Sequence, residues 1–330
     1  MSFKTIDLHC DSVSSLMEGK DLRNDVPGVH VDLPRLRKGR VGLQVFAAYV
    51  PADTEAAKAF AYATERLDAI AAFAASSDLL TPVETAAELM ASMAQGKTGV
   101  MAAVENGLAI EGSLEKLKEL RRLKVRIMTL VHSQNLDWVG SCTGTARSEG
   151  LSGFGGEVID AMNDLGIIPD LSHSSEASFW DVIKRTKKPV IASHSCAWAL
   201  CGAARNLKDD QLKALGDSGG VVGVNFFSAF LSEPFRKVYD KEKASDPAIG
   251  SEHVSRSIIA DHIDHIIKMA GEDCVALGSD FDGISATPEG VSGCDFFPVL
   301  EEDLRAMGYT EKRIEKIFNK NFLRVLEAWD

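Results

Sequence analysis

The chain has 330 residues, 45% of them hydrophobic and 25% charged, enough apolar sequence for a large core. Its net charge of −12 argues against a general nucleic-acid binder, which needs a basic surface against phosphates, and no apolar run approaches membrane-spanning length. The six cysteines are scattered without C-x-x-C spacing, which argues against a thiolate zinc site and for reduced thiols. The first apolar strand starts within five residues of Met1, so no signal peptide is expected and the location is read as cytoplasmic.

Thr5 to Cys10 reads as a short strand running into His9-Cys10-Asp11. Alternation turns His9 and Asp11 to one face and Cys10 to the other. Leu16 to Arg40, with Pro27, Gly28 and Pro34, reads as a long loop. Its His30-Val31-Asp32 repeats the His-x-Asp pattern without a leading apolar strand, so a structural or substrate-loop role is expected there. Val41 to Val50 is the second strand. Thr54 to Ala75 is Ala-rich and helical, and Pro82 to Ala94 is a helix opened by Thr81-Pro82.

Gly99 to Val104 is the third strand, closed by Glu105, a carboxylate out of place on a core element. After a helix over Ser113 to Leu123, Val125 to Val131 is the fourth strand and ends in His132. Gly140 to Gly156 reads as a functional loop. A helix over Glu157 to Leu165 leads to the fifth strand, Ile167 to Leu171, which ends in Ser172-His173. Ser175 to Lys184 is helical, and the sixth strand, Pro189 to Ala192, ends in Ser193-His194. A helix over Asp209 to Ser218 precedes the seventh strand, Gly220 to Phe227, and Ala229 to Ile249 is a loop insertion. Ser251 to Met269 is a helix carrying His253, His262 and His265. The eighth strand, Cys274 to Gly278, ends in Ser279-Asp280, and helices over Asp303 to Met307 and Glu311 to Trp329 close the chain.

Eight strands alternating with helices predict a single α/β domain over 1–330, a (β/α)8 TIM barrel with loop insertions and C-terminal helices. The rival is a doubly wound open sheet, but no G-x-G-x-x-G follows the first strand. The positions of the ionisable residues decide between them. His9, Glu105, His132, His173, His194 and Asp280 each end a different strand, and only a closed barrel gathers such ends into one ring.

His9, Asp11, Glu105, His173, His194 and Asp280 form a nitrogen and oxygen donor set that suits Zn²⁺ best, with Mn²⁺, Co²⁺ or Fe²⁺ as alternatives. Three imidazoles and three carboxylates exceed the needs of one tetrahedral ion. Two divalent ions fit the number: His9 and Asp11 on the first, His173 and His194 on the second, Glu105 bridging. A water shared by the ions would ionise near neutral pH, with Asp280 as its proton carrier. Asp282-Gly283 reads as the following turn. His262 and His265, three apart on an outer helix, read as structural or solvated.

The ordered set Asp7-Leu8-His9-Cys10-Asp11, Val31-Asp32-Leu33-Pro34-Arg35-Leu36, Leu165 to His173, Ala192-Ser193-His194-Ser195, Arg205-Asn206 and Gly278 to Gly283 resembles the membrane (renal) dipeptidase family of amidohydrolase-like barrels. The resemblance implies a binuclear zinc dipeptidase, with metal ligands at His9, Asp11, Glu105, His173 and His194 and a catalytic aspartate at Asp280. It further implies substrate contacts from His132, which can stabilise an oxyanion, and from Arg205, whose planar fork suits a free C-terminal carboxylate. It suggests a homodimer and tolerance of a D-residue at the C-terminal position, so L-Xaa-D-Xaa dipeptides are the first candidates. There is one departure: Asn225-Phe226-Phe227 has phenylalanine where many relatives carry tyrosine. The alternatives are an amidohydrolase acting on N-acyl amino acids, lactones or cyclic amides, and a catalytically silent metal-binding or interaction protein on the same fold.

Overall fold

The computed structural model describes residues 4–145, 150–242 and 254–330. Among them nine parallel strands form one sheet: β1 (Thr5–Cys10), β2 (Val41–Tyr49), β3 (Leu80–Pro82), β4 (Thr98–Glu105), β5 (Ile127–Thr129), β6 (Ile168–Asp170), β7 (Ile191–Ser195), β8 (Val221–Val224) and β9 (Val275–Leu277). β2 pairs directly with β4, and β9 returns to β1 through Asp7 opposite Leu277, so eight of the nine close into a parallel barrel. The ninth, β3, lies outside the ring along the first half of β4, and β5 takes the second half. This is the predicted (β/α)8 architecture.

The staves are buried on both faces, which is why they read as apolar runs rather than alternating ones. Ile6, Leu8, Leu43, Val45, Met101, Ile127, Ile168 and Ile191 belong to one apolar cluster, while Phe46, Val104, Met128 and Val222 pack in a second cluster that includes residues of the surrounding helices. Phe322, Leu326 and Trp329 of the C-terminal helix (Asn321–Trp329) join the first cluster. Hydrogen bonds from Asn319 to Lys4 O, Asn321 to Val275 O, Arg324 to Gly219 O and Trp329 to Pro189 O fix the terminal segment to the starts of four staves. The barrel is thereby closed at the strand N-termini, and only the opposite mouth is free for chemistry.

Several elements differ from expectation. The supposed loop Leu16 to Arg40 contains a helix over Leu33–Lys38, whose N-cap Asp32 accepts from Arg35 N, with Pro34 in the first turn. The supposed insertion Ala229 to Ile249 begins with helices over Ser228–Leu231 and Glu233–Glu242, again with a proline, Pro234, in a first turn. Pro82 belongs to β3, and the helix after it starts at Ala86 behind a Thr85–Glu88 capping box. Ser152 caps a helix from Gly153, four residues before the predicted start. The helix carrying His262 and His265 runs over Ser257–Ala270, while His253 lies outside the described residues. Among the described residues no helix is long and apolar enough to cross a membrane.

His262 has a structural role of a specific kind. Its Nδ1 accepts from Ala197 N at 3.1 Å and its Nε2 donates to Leu231 O at 2.9 Å, so the neutral ring ties the loop after β7 to the short helix after β8. Burial pushes this imidazole down to about 4. Between the ordinary histidine range and that value the unfolded chain binds the proton and the folded chain does not. The stabilisation is therefore present above pH 6.5 and lost as the pH falls towards 4, by roughly 3 kcal/mol. Urea unfolding of a His262→Leu variant over that window is expected to show a shallower loss of stability on acidification than the parent, from a lower starting value at pH 7.

Candidate metal centre

Two irregularities in the staves aim the site. The β1–β2 register shifts between Asp7 and Cys10, and the β7–β8 register shifts between Ala192 and Ser195. His9 and His194 sit inside these shifts, where an extra residue lets a bulge re-aim a side chain at the mouth. Cys10 packs in the outer apolar cluster, away from its neighbours in sequence. His173 and Asp280 follow β6 and β9 with φ of 69° and 63°, left-handed conformations that a non-glycine residue holds only when its surroundings fix it.

These elements bring the predicted donors together around Glu105. Its Oε2 lies 3.6 Å from His9 Nε2, while its Oε1 lies 3.1 Å from His173 Nε2 and 3.5 Å from His194 Nε2. His9 Nε2 is also 3.4 Å from Asp11 Oδ2 and 3.9 Å from Asp280 Oδ1. Three overlapping donor groups result: His9, Asp11 and Glu105; Glu105, His173 and His194; and His9, His194 and Asp280. A Cβ on Gly283 would stand 2.1 Å from Asp11 Oδ2 and 2.7 Å from Asp280 Oδ1, so glycine there keeps the two carboxylates unobstructed.

The protonation pattern fits a cation. Burial alone would depress His9, yet the Glu105 and Asp11 carboxylates outweigh it and hold the ring well above its usual range. Burial would likewise raise Glu105, but His9, His173 and His194 hold it well below the usual carboxylate range. The cluster thus calls for positive charge, which a proton on His9 or a bound metal ion can supply. His9 Nε2 is buried with no hydrogen-bond partner. Ser193 Oγ donates to Asp170 Oδ2 at 2.6 Å and so accepts from His194 Nδ1 at 2.7 Å, which leaves a lone pair on His194 Nε2 facing Glu105. Burial, with the charge on His9 adding, pushes His194 down to about 3 and keeps that lone pair available. Convergent imidazole nitrogens and carboxylate oxygens with no thiolate among them fit a divalent ion such as Zn²⁺.

The remaining candidates line a cavity of about 480 Å³ over this cluster. Asp280 Oδ2 accepts from Asn225 Nδ2 at 2.7 Å, while burial, opposed by His9 and reinforced by Asp11 and Glu105, pushes its carboxyl up to about 8. His132 Nε2 is 3.9 Å from Glu105 Oε1, and its Nδ1 is 3.5 Å from the Tyr49 hydroxyl. Arg205 is only 7% exposed; its Nη2 donates to His194 O at 3.0 Å, whereas Nε and Nη1 have no partner. Asn206 anchors that loop, accepting from Cys196 N and donating to Cys201 O and Phe230 O. His30 and Asp32 lie apart from the donor groups: Asp32 caps its helix, and His30 braces Asp282 reciprocally, its N donating to Asp282 Oδ1 and its Nδ1 accepting from Asp282 N.

Sequence reasoning missed Asp170, Ser193, Asn225 and Tyr49, which orient the donors without belonging to a His-x-Asp pattern. The signal available was polarity at strand ends: Asp170 and Asn225 are fully buried polar residues on or beside apolar staves.

The chain matches the membrane dipeptidase family (peptidase family M19) over residues 1–330. It is 31% identical over 314 residues to dipeptidase 3 of Mus musculus, covering 94% of this chain and 59% of the mouse protein, so it spans less than two thirds of that relative. It is 34% identical over 311 residues to an uncharacterised dipeptidase of Schizosaccharomyces pombe, covering 90% of this chain and 71% of the yeast protein. Among solved structures it is similar to dipeptidase AC, a metallopeptidase of family M19, with a TM-score of 0.88 at 29% identity over 100% of this chain and 99% of that one. It is also similar to a metallopeptidase from Rhodobacter sphaeroides liganded with a phosphinate mimic of the dipeptide L-Ala-D-Ala, with a TM-score of 0.89 at 28% identity over 100% of both chains. A match that runs from the first residue to the last, together with relatives and structures that cover nearly the whole barrel, makes this chain a member of the membrane dipeptidase family, peptidase family M19.

Proposed function

We propose that the protein hydrolyses the peptide bond of dipeptides, L-Xaa-D-Xaa among them, with two divalent ions, Zn²⁺ first, held at the mouth of the barrel. The observation that carries this reading is Glu105, one oxygen turned to His9 and the other to His173 and His194. His9 and Asp11 would hold one ion and His173 and His194 the other, with Glu105 as their shared ligand. Bound there, divalent ions would supply Lewis-acid polarisation of a carbonyl and a water acidic enough to ionise near neutrality.

The protein's own groups do the rest. Arg205, whose Nε and Nη1 have no hydrogen-bond partner among the described residues, offers its guanidinium charge and a donor to the C-terminal carboxylate, a contact that longer peptides cannot make at the same place. His132 donates to the carbonyl oxygen as negative charge develops on it. Asp280 takes a proton from the attacking water as its oxygen bonds to the carbonyl carbon. It then passes that proton to the amine nitrogen as the C–N bond breaks. The Rhodobacter sphaeroides relative with its L-Ala-D-Ala mimic supports the choice of an L,D-dipeptide. Cys10, Cys196, Cys201, Cys274 and Cys294 are free thiols, which supports a cytoplasmic setting.

The test is hydrolysis of L,L- and L,D-dipeptides beside N-acyl amino acids before and after chelation. Cleavage of dipeptides that disappears on metal removal and returns with Zn²⁺ is expected. Activity that survives thorough removal sinks the metal reading, and cleavage of N-acyl amino acids alone replaces the dipeptide with that substrate class. Ser193→Ala removes the group that fixes the His194 ring, so affinity for one of the two ions is expected to fall 10- to 100-fold against a competing chelator.

A further inference from the structure

The cavity over the donor cluster has a charged floor and an aromatic side. Asp11, Glu105, Asp280 and Asp282 line it, and among the described residues Arg205 is its one guanidinium or ammonium group. From Arg205 a wall of rings leads away. The guanidinium carbon stands 5.4 Å from the Phe230 ring centroid, Phe230 lies 4.9 Å from Phe227, and Phe227 lies 5.3 Å from Tyr239. Ile284 packs on the same small apolar cluster and also lines the cavity. The Tyr239 hydroxyl is satisfied within the protein by Ser285 Oγ at 3.1 Å. Helix Glu233–Glu242, which carries Tyr239, is tied to the Arg205 loop by Glu233, whose Oε2 accepts from Gly202 N at 2.9 Å.

In a dipeptide the C-terminal carboxylate and the C-terminal side chain leave the same α-carbon. A carboxylate held by the free donors of Arg205 therefore carries its own side chain to the start of this wall. We infer that the protein sorts dipeptides by their C-terminal side chain, favouring an apolar one large enough to reach Phe227, Phe230, Tyr239 and Ile284 and rejecting one that bears a second carboxylate. The apolar side chain leaves water for aromatic surface. A side-chain carboxylate directed to the same place leaves water for aromatic and aliphatic surface beside Asp282, with the one guanidinium already engaged. The inference rests on the dipeptidase reading and adds to it the chemistry of the leaving residue.

The experiment uses the full-length, Zn²⁺-loaded protein and a series L-Ala-Xaa in which Xaa is Gly, Ala, Leu, Phe or Asp, each chiral residue in both configurations. In the accepted configuration, kcat/KM is expected to rise about tenfold or more from Gly to Leu and Phe and to be lowest with Asp. Phe230→Ala and Tyr239→Ala are each expected to shrink the Leu-to-Gly ratio several-fold, mainly through KM. A series cleaved throughout at similar kcat/KM, or Asp accepted as well as Leu, overturns the inference and leaves the dipeptidase reading standing. No cleavage of any member, L-Ala-Gly included, overturns the dipeptidase reading and this inference with it.

Discussion

Asp280→Asn is expected to lower kcat on a dipeptide by about 10³-fold while the protein keeps its metal ions. The asparagine retains the shape of the side chain and an oxygen for Asn225 Nδ2, which now contacts Asp280 Oδ2 at 2.7 Å. It cannot take a proton from water or return one to an amine. A second consequence follows from burial, which pushes the Asp280 carboxyl up to about 8 in the metal-free cluster. A group raised in the folded state stabilises it below the unfolded value and loses that contribution as the pH rises through the folded one. Metal-free Asp280→Asn is therefore expected to melt at a higher temperature than the metal-free parent above pH 8. Dipeptide turnover near the parent rate would remove Asp280 from the proton path, whatever the melting curves show.

The barrel was legible because its staves are apolar runs separated by helical periodicity, and the site because a polar residue ends each of six of them. What misled the reading was proline. Pro34, Pro234 and Pro298 each stand in the first turn of a helix, where the missing N–H costs nothing and the fixed φ helps. In sequence Pro34 marks a loop, Pro234 falls in the expected insertion, and Pro298 precedes a helix predicted from Asp303 that the structure places over Phe297–Ala306. Pro82, read as a helix opener, instead lies in β3 outside the ring. The local signature is the same in all four cases, and tertiary pairing decides between them.

The bulges were hidden for a related reason. Simple alternation correctly separates Cys10 from His9 and Asp11, but a register shift against the neighbouring stave is a property of two strands and cannot be read from one. The same holds at His194, whose ring is set by Asp170 from β6 through Ser193. Donors can be named from a sequence because their chemistry is rare at strand ends. The residues that orient them are serines, asparagines and aspartates, common in any chain, and only their partners give them meaning.

Glu105→Gln is expected to leave at most one divalent ion per chain, by elemental analysis, and to lower kcat/KM by about 10³-fold or more. Glutamine matches glutamate in size, but its amide nitrogen is a donor and cannot serve as a ligand, so one of the two faces of Glu105 is lost whichever way the amide turns. A variant that keeps two ions and ordinary turnover would dismiss the bridging role. Without metal, the substitution should act on stability in the opposite sense to Asp280→Asn. Burial opposes the Glu105 charge, yet His9, His173 and His194 hold its carboxyl well below the usual range. That stabilisation is present above the unfolded carboxylate pKa and lost as the pH falls through the folded one. Metal-free Glu105→Gln should thus melt below the metal-free parent at neutral pH. Two carboxylates 3.6 and 3.9 Å from the same His9 nitrogen are then separated by the sign of one measurement: Glu105 is held charged and steadies the empty barrel, whereas Asp280 is a buried acid kept at a cost to stability.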